Sequence, residues 1–182
     1  MHVTLRLRRD LPNLSSQLGM QVVWRVFAAA RDRLGVRLVH WSAQRDHLHL
    51  IVEPESERAL SRGIQGLCIR FAKAINRAIG RRGRVFADRY HAVPLRSPRQ
   101  TRSALAYVLL NARHHAAARR EPLSGSLDAC SSSPCFEGWT TPHPPTEGPW
   151  STTVTRASTW LLHTGWRRHG LIHPLEIPGR PA

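Results

Sequence analysis

The hydrophobic period of this chain switches back and forth between two residues and about 3.6 over residues 1–120, and turn residues mark each switch. From His2 to Arg8, Val3, Leu5 and Leu7 alternate with Thr4, Arg6 and Arg8, the pattern of a strand with one wet face. Pro12 and Asn13 interrupt it. Leu18, Val22, Val23, Val26, Phe27, Ala30 and Leu34 then recur at helical spacing, with Gly35 as the stop. Two further strands are expected over Val36 to Ala43 and His47 to Glu53. Their polar connection, Gln44-Arg45-Asp46, is so short that they must form an antiparallel hairpin. Leu60, Ile64, Leu67, Phe71, Ile75 and Ile79 mark a second helix closed by Gly80, and a basic loop leads to a strand-like segment around Arg89 to Arg96. Ser97-Pro98-Arg99-Gln100 opens a third helix, expected to run to about Ala118. Ser is its N-cap, Pro takes the first helical position and Gln closes a capping box.

The order β-α-β-β-α-β-α predicts an α+β protein. Its first six elements match the split-βαβ, ferredoxin-like antiparallel sheet, with helices on one face, the other face left available, and one helix added. Residues 1–120 are expected to form this domain. Residues 121–151 are rich in Ser, Pro and Gly with little periodicity, and read as a linker or mobile loop. Residues 152–182 read as a tail whose short helix spans Trp160 to Gly170. Trp24 and Trp41 are expected in or near the core, and Trp160 and Trp166 are expected to staple the tail to the domain.

Charge narrows the partners. Lys plus Arg number 27 against 12 for Asp plus Glu, a net +15, which suits a polyanion such as nucleic acid. A coding bias towards Arg explains Arg over Lys but not the excess of positive charge. Between Arg58 and Arg102 the one acidic residue is Asp88, whereas an ordinary solvated face mixes both signs. Arg70, Lys73 and Arg77 share a face of the second helix, and Arg81, Arg82 and Arg84 follow in the loop, with Arg89 beyond. These are the candidates for phosphate contact, with Tyr90 as a base-stacking residue. The three cysteines, Cys68, Cys130 and Cys135, give neither a disulfide framework nor a zinc knuckle, and no stretch approaches the ~18 apolar residues of a membrane span. A cytoplasmic protein, without membrane or nucleotide cofactor, is expected.

Side chains alternate along a strand, so His47 and His49 share one face while Leu48, Leu50 and Val52 form a core face opposite. Two imidazoles so placed can converge on one ion; alone, such a pair reads as well as two surface histidines. Tyr107 and Asn111, at i and i+4 on the third helix, offer a nucleophile and an amide ligand on one face, with Leu105, Val108, Leu109 and Ala112 supplying the buried stripe. Tyr90 is the rival nucleophile. His114 and His115 are candidates for a zinc site with the histidine pair, or for solvated residues at a helix end.

Three segments carry a family resemblance: Asp46-His47-Leu48-His49-Leu50-Ile51-Val52, Gly83-Arg84-Val85-Phe86-Ala87-Asp88-Arg89-Tyr90-His91, and Tyr107-Val108-Leu109-Leu110-Asn111. Over residues 2–118 the chain resembles single-tyrosine transposases of the IS200/IS605 type, and within that HUH-endonuclease superfamily the REP-associated tyrosine transposase branch. The tail from Trp160 to Ile172 also resembles tails of that branch. The resemblance implies that His47, His49 and Asn111 hold Mg²⁺ or Mn²⁺ and that Tyr107 attacks a DNA phosphate. It further implies a 5′-phosphotyrosine intermediate, single-stranded or hairpin DNA as substrate, and a homodimer. Two positions depart from the pattern: Asp46 stands where Asn is frequent, and Ala112 where Pro commonly follows the asparagine. A domesticated, catalytically inactive DNA-binding module is the alternative.

Overall fold

The computed structural model describes residues 1–33, 35–141 and 148–179. Strand β1 (His2–Arg6) is followed by α1 (Gln17–Ala30), β2 (Asp32–Arg33), β3 (Val36–Ala43), β4 (His47–Pro54), α2 (Glu57–Ala78), β5 (His91–Val93), α3 (Pro98–Leu109), α4 (Asn111–Ala118) and α5 (Trp160–His163). The sheet order is β2-β3-β4-β1-β5 with antiparallel pairing throughout. Without the two-residue β2, this is the split-βαβ order the sequence predicts.

The helix starts follow local chemistry. Ser16, Ser56 and Ser97 each accept a hydrogen bond from the backbone N–H three residues on, satisfying a donor the first turn leaves open. Gln100 Oε1 in turn accepts from the Arg96 amide at 2.9 Å. α1 stops at Ala30, earlier than expected, because the chain turns back on itself. Arg33 pairs with Val36, and Gly35 at φ 69° makes this hairpin turn instead of ending the helix. Leu34, which the helical pattern included, lies outside the described residues.

Two cores lie on opposite faces of the sheet. Val3, Leu5, Leu48, Leu50 and Val52 join α1 and α2 through Val23, Phe27, Ile64 and Phe71. Phe27 lies between Trp41 and Phe71, at ring distances of 5.1 and 5.2 Å. The other face is covered as well, contrary to the expectation of an available face. Val39 and Ile51 pack there against Leu105, Val108 and Leu109 of α3, with Phe136, Trp139, Leu162 and Trp166 of the C-terminal segment. A register shift between Leu38 and His40 breaks the alternation of β3, so that Leu38 and Trp41, three residues apart, enter the same core while Val39 enters the other.

The stretch expected to be a linker is, over much of its described length, part of the fold. Ala43 N–H donates to Cys130, Ser132 N–H to Trp41 and Thr155 N–H to Leu38, so residues 130–132 and 155 cover the edge of β3 that β2 leaves open. Ser131, Ser132 and Ser133 are fully buried. Further on, Glu53 accepts from the amides and hydroxyls of Ser158 and Thr159 at 2.6–2.9 Å. Burial opposes the charge on Glu53, but these bonds outweigh it and hold the carboxyl below its usual range. Trp166 is buried and staples the tail as expected; Trp160 is half exposed, under the Arg168 guanidinium. Residues 142–147 of the expected linker lie outside the described residues.

The segment expected to be a linker closes over His40. Its Nδ1 is 3.1 Å from Ser132 Oγ, the Phe136 ring meets it edge-on at 5.3 Å, and burial lowers its pKa from 6.5 to about 4. The unfolded chain takes up this proton near 6.5 and the folded chain only near 4, so acid favours unfolding between those values. Urea unfolding should therefore show stability falling as the pH drops from 6.5 towards 4, with a shallower fall in His40→Gln.

Candidate functional site

In the hairpin of β3 and β4, Leu48 and Leu50 turn into the helical core, and this turns His47 and His49 to the other face. β1 lies beside β4 with Arg6 opposite His47 and Thr4 opposite His49, so Arg6, Thr4 and His2 share that face. On the other side of β4, Ser42 stands opposite His49. α3 crosses the same face and lays the Tyr107 ring edge-on to His49, with centroids 5.2 Å apart. The structure thus brings His47, His49 and Tyr107 together.

The two imidazoles are nearly parallel, 7° between planes, with centroids 6.2 Å apart. Each has its Nδ1 engaged. His47 Nδ1 is 2.7 Å from Asp46 Oδ1, and His49 Nδ1 is 3.3 Å from both Thr4 Oγ1 and His2 Nε2. This leaves Nε2 on each ring as the nitrogen for a ligand, the arrangement a metal-binding histidine takes when an outer partner fixes its tautomer. Burial, reinforced by the neighbouring histidines His2, His47, His115 and His114, lowers the His49 pKa to about 3. At neutral pH His49 is therefore an uncharged donor, the form a metal requires.

Asn111 is fully buried, and neither its Oδ1 nor its Nδ2 has a hydrogen-bond partner among the described residues. The expected single third helix is interrupted at Leu110, between Tyr107 and Asn111. The face continues into His114, whose ring lies 5.2 Å from Tyr107 and whose Nδ1 is 2.7 Å from the Pro178 carbonyl of the tail. His114 is thereby tied into the fold and is not a free helix-end residue. Among the described residues no three His, Cys, Asp or Glu side chains converge as metal ligands. A cation here would need the two imidazoles supplemented by an amide, phosphate oxygens or water. Two histidines, each oriented through Nδ1, and a buried amide with no partner fit that requirement.

A solved structure with the same fold, that of a REP-associated tyrosine transposase bound to a REP hairpin, aligns with a TM-score of 0.50 at 18% identity, over 63% of this chain and 66% of that one. No curated protein matches. The sequence model of IS200-like transposases matches residues 1–109. The chain belongs to the IS200-like transposase family. The matched region of this family member takes in β1, the histidine strand β4, and α3 with Tyr107.

The other expected residues lie elsewhere. Tyr90 packs against the helical core, on the opposite side of the sheet from the histidine pair. Arg70, Lys73 and Arg77 are exposed and line a groove between α1 and α2 with Arg25 and Gln21, also on that reverse side. Arg82 and Arg89 are exposed. Arg81 pairs with Asp10 at 3.2 Å, which ties its loop to the β1–α1 connection, and the Arg84 guanidinium binds the carbonyls of Phe86 and Ala87 and braces its own loop. Sequence patterns alone do not single out His2 and Thr4. Their signal is the wet face of the first strand, which the split-βαβ order places beside the histidine strand. Among the described residues no helix is long and apolar enough to cross a membrane.

An amide buried without a partner costs about 1–3 kcal/mol. Replacing Asn111 by leucine, which has the same branched skeleton with bulkier ends, is accordingly expected to leave the fold about as stable or more so. Thermal melting of Asn111→Leu without added metal checks this, and a clear loss would show that the amide already has a structural partner.

Proposed function

We propose that this IS200-like transposase is a DNA endonuclease and strand transferase that acts on single-stranded or hairpin DNA through Tyr107. The observation that carries the reading is the contact of the Tyr107 ring with His49, on the face away from Tyr90. In this reaction the phenol oxygen forms a bond to a DNA phosphorus and gives up its proton. The bond from phosphorus to the 3′ oxygen breaks, and that oxygen leaves as a 3′-hydroxyl. The product is a 5′-phosphotyrosine, which keeps the energy of the broken bond and lets a 3′-hydroxyl reverse the step without ATP. A phenol with an ordinary pKa of about 10 is a weak nucleophile at neutral pH and needs help from its surroundings. His47 and His49, with Asn111 as the third donor, would hold Mg²⁺ or Mn²⁺. When bound, such a cation polarises the phosphoryl oxygens and offsets the charge that builds as the bonds exchange. The site face supplies the rest: Tyr107 is held by His49, His2 and His114, and little of it reaches solvent.

DNA binding rests on the excess of basic charge and on the groove formed by Arg25, Arg70, Lys73 and Arg77. The related hairpin-bound structure supports a DNA hairpin as the partner. A homodimer is part of the same reading, and sedimentation of the full chain with and without hairpin DNA tests it.

Incubation with labelled hairpin DNA and Mn²⁺ is expected to give a covalent adduct that survives Tyr90→Phe and disappears with Tyr107→Phe or with chelator. Loss with Tyr90→Phe alone would overturn the assignment, and no adduct across a broad hairpin library would leave a DNA-binding module. Replacing Arg70, Lys73 and Arg77 by Gln should weaken binding of all sequences alike. It should also reduce the slope of log affinity against log salt by about 0.9 for each duplex phosphate that is no longer neutralised. An unchanged slope would remove the groove from the DNA interface.

A further inference from the structure

We propose that His2 is a positioning residue for the metal site: it accepts the Nδ1 proton of His49, and so reserves His49 Nε2 for the cation. This rests on the reading that His47 and His49 hold a metal. His2 reaches His49 because β1 pairs with β4 so that Thr4 faces His49 and His2 lies two residues along the same face. The two rings are 5.5 Å apart at their centroids, with His2 Nε2 3.3 Å from His49 Nδ1, and both residues are 7% exposed. His2 also meets the Tyr107 ring, at 5.9 Å, so it packs against both the candidate ligand and the candidate nucleophile.

The choice of tautomer gives this contact its consequence. A neutral imidazole carries one proton, and a metal on Nε2 requires that proton to be on Nδ1. Thr4 Oγ1, also 3.3 Å from His49 Nδ1, does not decide the matter, because a hydroxyl donates as readily as it accepts. His2 and His49 must take complementary tautomers across their contact, and the one with the His2 proton on Nδ1 leaves His2 Nε2 as a lone-pair acceptor and His49 Nε2 open to a cation. For His47 the Asp46 carboxylate, an acceptor only, performs this task. The two imidazoles are thus oriented by different means, one by a carboxylate next to it in sequence and the other by a histidine on the neighbouring strand.

The test reads tautomers and metal affinity, not cleavage. Long-range ¹H–¹⁵N spectra of the histidine-labelled full chain should show His49 protonated at Nδ1 and His2 unprotonated at Nε2, both before and after addition of Mg²⁺. Mn²⁺ affinity, read from the free-ion paramagnetic resonance signal, should fall about 10- to 100-fold in His2→Phe, which fills the space without an acceptor. His2→Gln, whose amide oxygen can accept the same proton, should recover most of it. His49 protonated at Nε2 would overturn the proposal, as would equal affinity in wild type and His2→Phe while His49→Ala abolishes binding. That last result would leave the metal reading standing. A wild-type chain that binds no Mn²⁺ would overturn both.

Discussion

β1 lies against β4 with Thr4 opposite His49 and Arg6 opposite His47, and this register organises the rest of the molecule. Because side chains alternate along both strands, one register puts Val3, Leu5, Leu48 and Leu50 into the helical core and His2, Thr4, His47 and His49 onto the other face. A slip of β4 by one residue would turn its imidazoles in among Phe27 and Phe71 and its leucines towards α3. The apolar core therefore fixes the site: the same burial that holds α1 and α2 to the sheet aims the histidines away from them. No local feature of the His-Leu-His segment has to do so.

The sheet also divides the chemistry. One side carries the histidines, Tyr107 and the tail that ties His114 and covers β3. The other carries α1 and α2, with Arg25, Arg70, Lys73 and Arg77 along their groove. The basic residues nearest in sequence to this division, Arg81 and Arg84, are engaged with Asp10 and with loop carbonyls. Charge density along the sequence thus does not translate directly into charge at the histidine face. DNA engaged at Tyr107 and DNA engaged by the α2 residues would contact opposite sides of the same sheet.

Much of the fold was legible because it rests on periodicity. The strand alternation, the helical spacing of Leu60 to Ile79 and the Ser97-Pro98 start all reappear, since they express local burial and capping. What was not legible depends on distant partners. The short β2 exists because Gly35 turns it onto β3. Residues 130–132 look like a linker in composition, yet bury their serines through bonds to β3, and hydroxyl-to-backbone bonding leaves no hydrophobic period to read. The interruption at Leu110 left no mark in composition, since neither Gly nor Pro stands there.

The sequence by itself determined that His47 and His49 share a face, that Tyr107 lies on a capped helix, and that the chain is strongly basic, because strand alternation, capping and charge are properties of neighbouring residues. Only the tertiary structure decided that α3 covers the histidine face, that Tyr90 falls on the opposite side, and that His2 reaches His49 across the β1–β4 pairing. These are contacts between elements far apart in the chain. They are set by which strand edges pair and which apolar faces find each other, and local spacing carries no record of that choice.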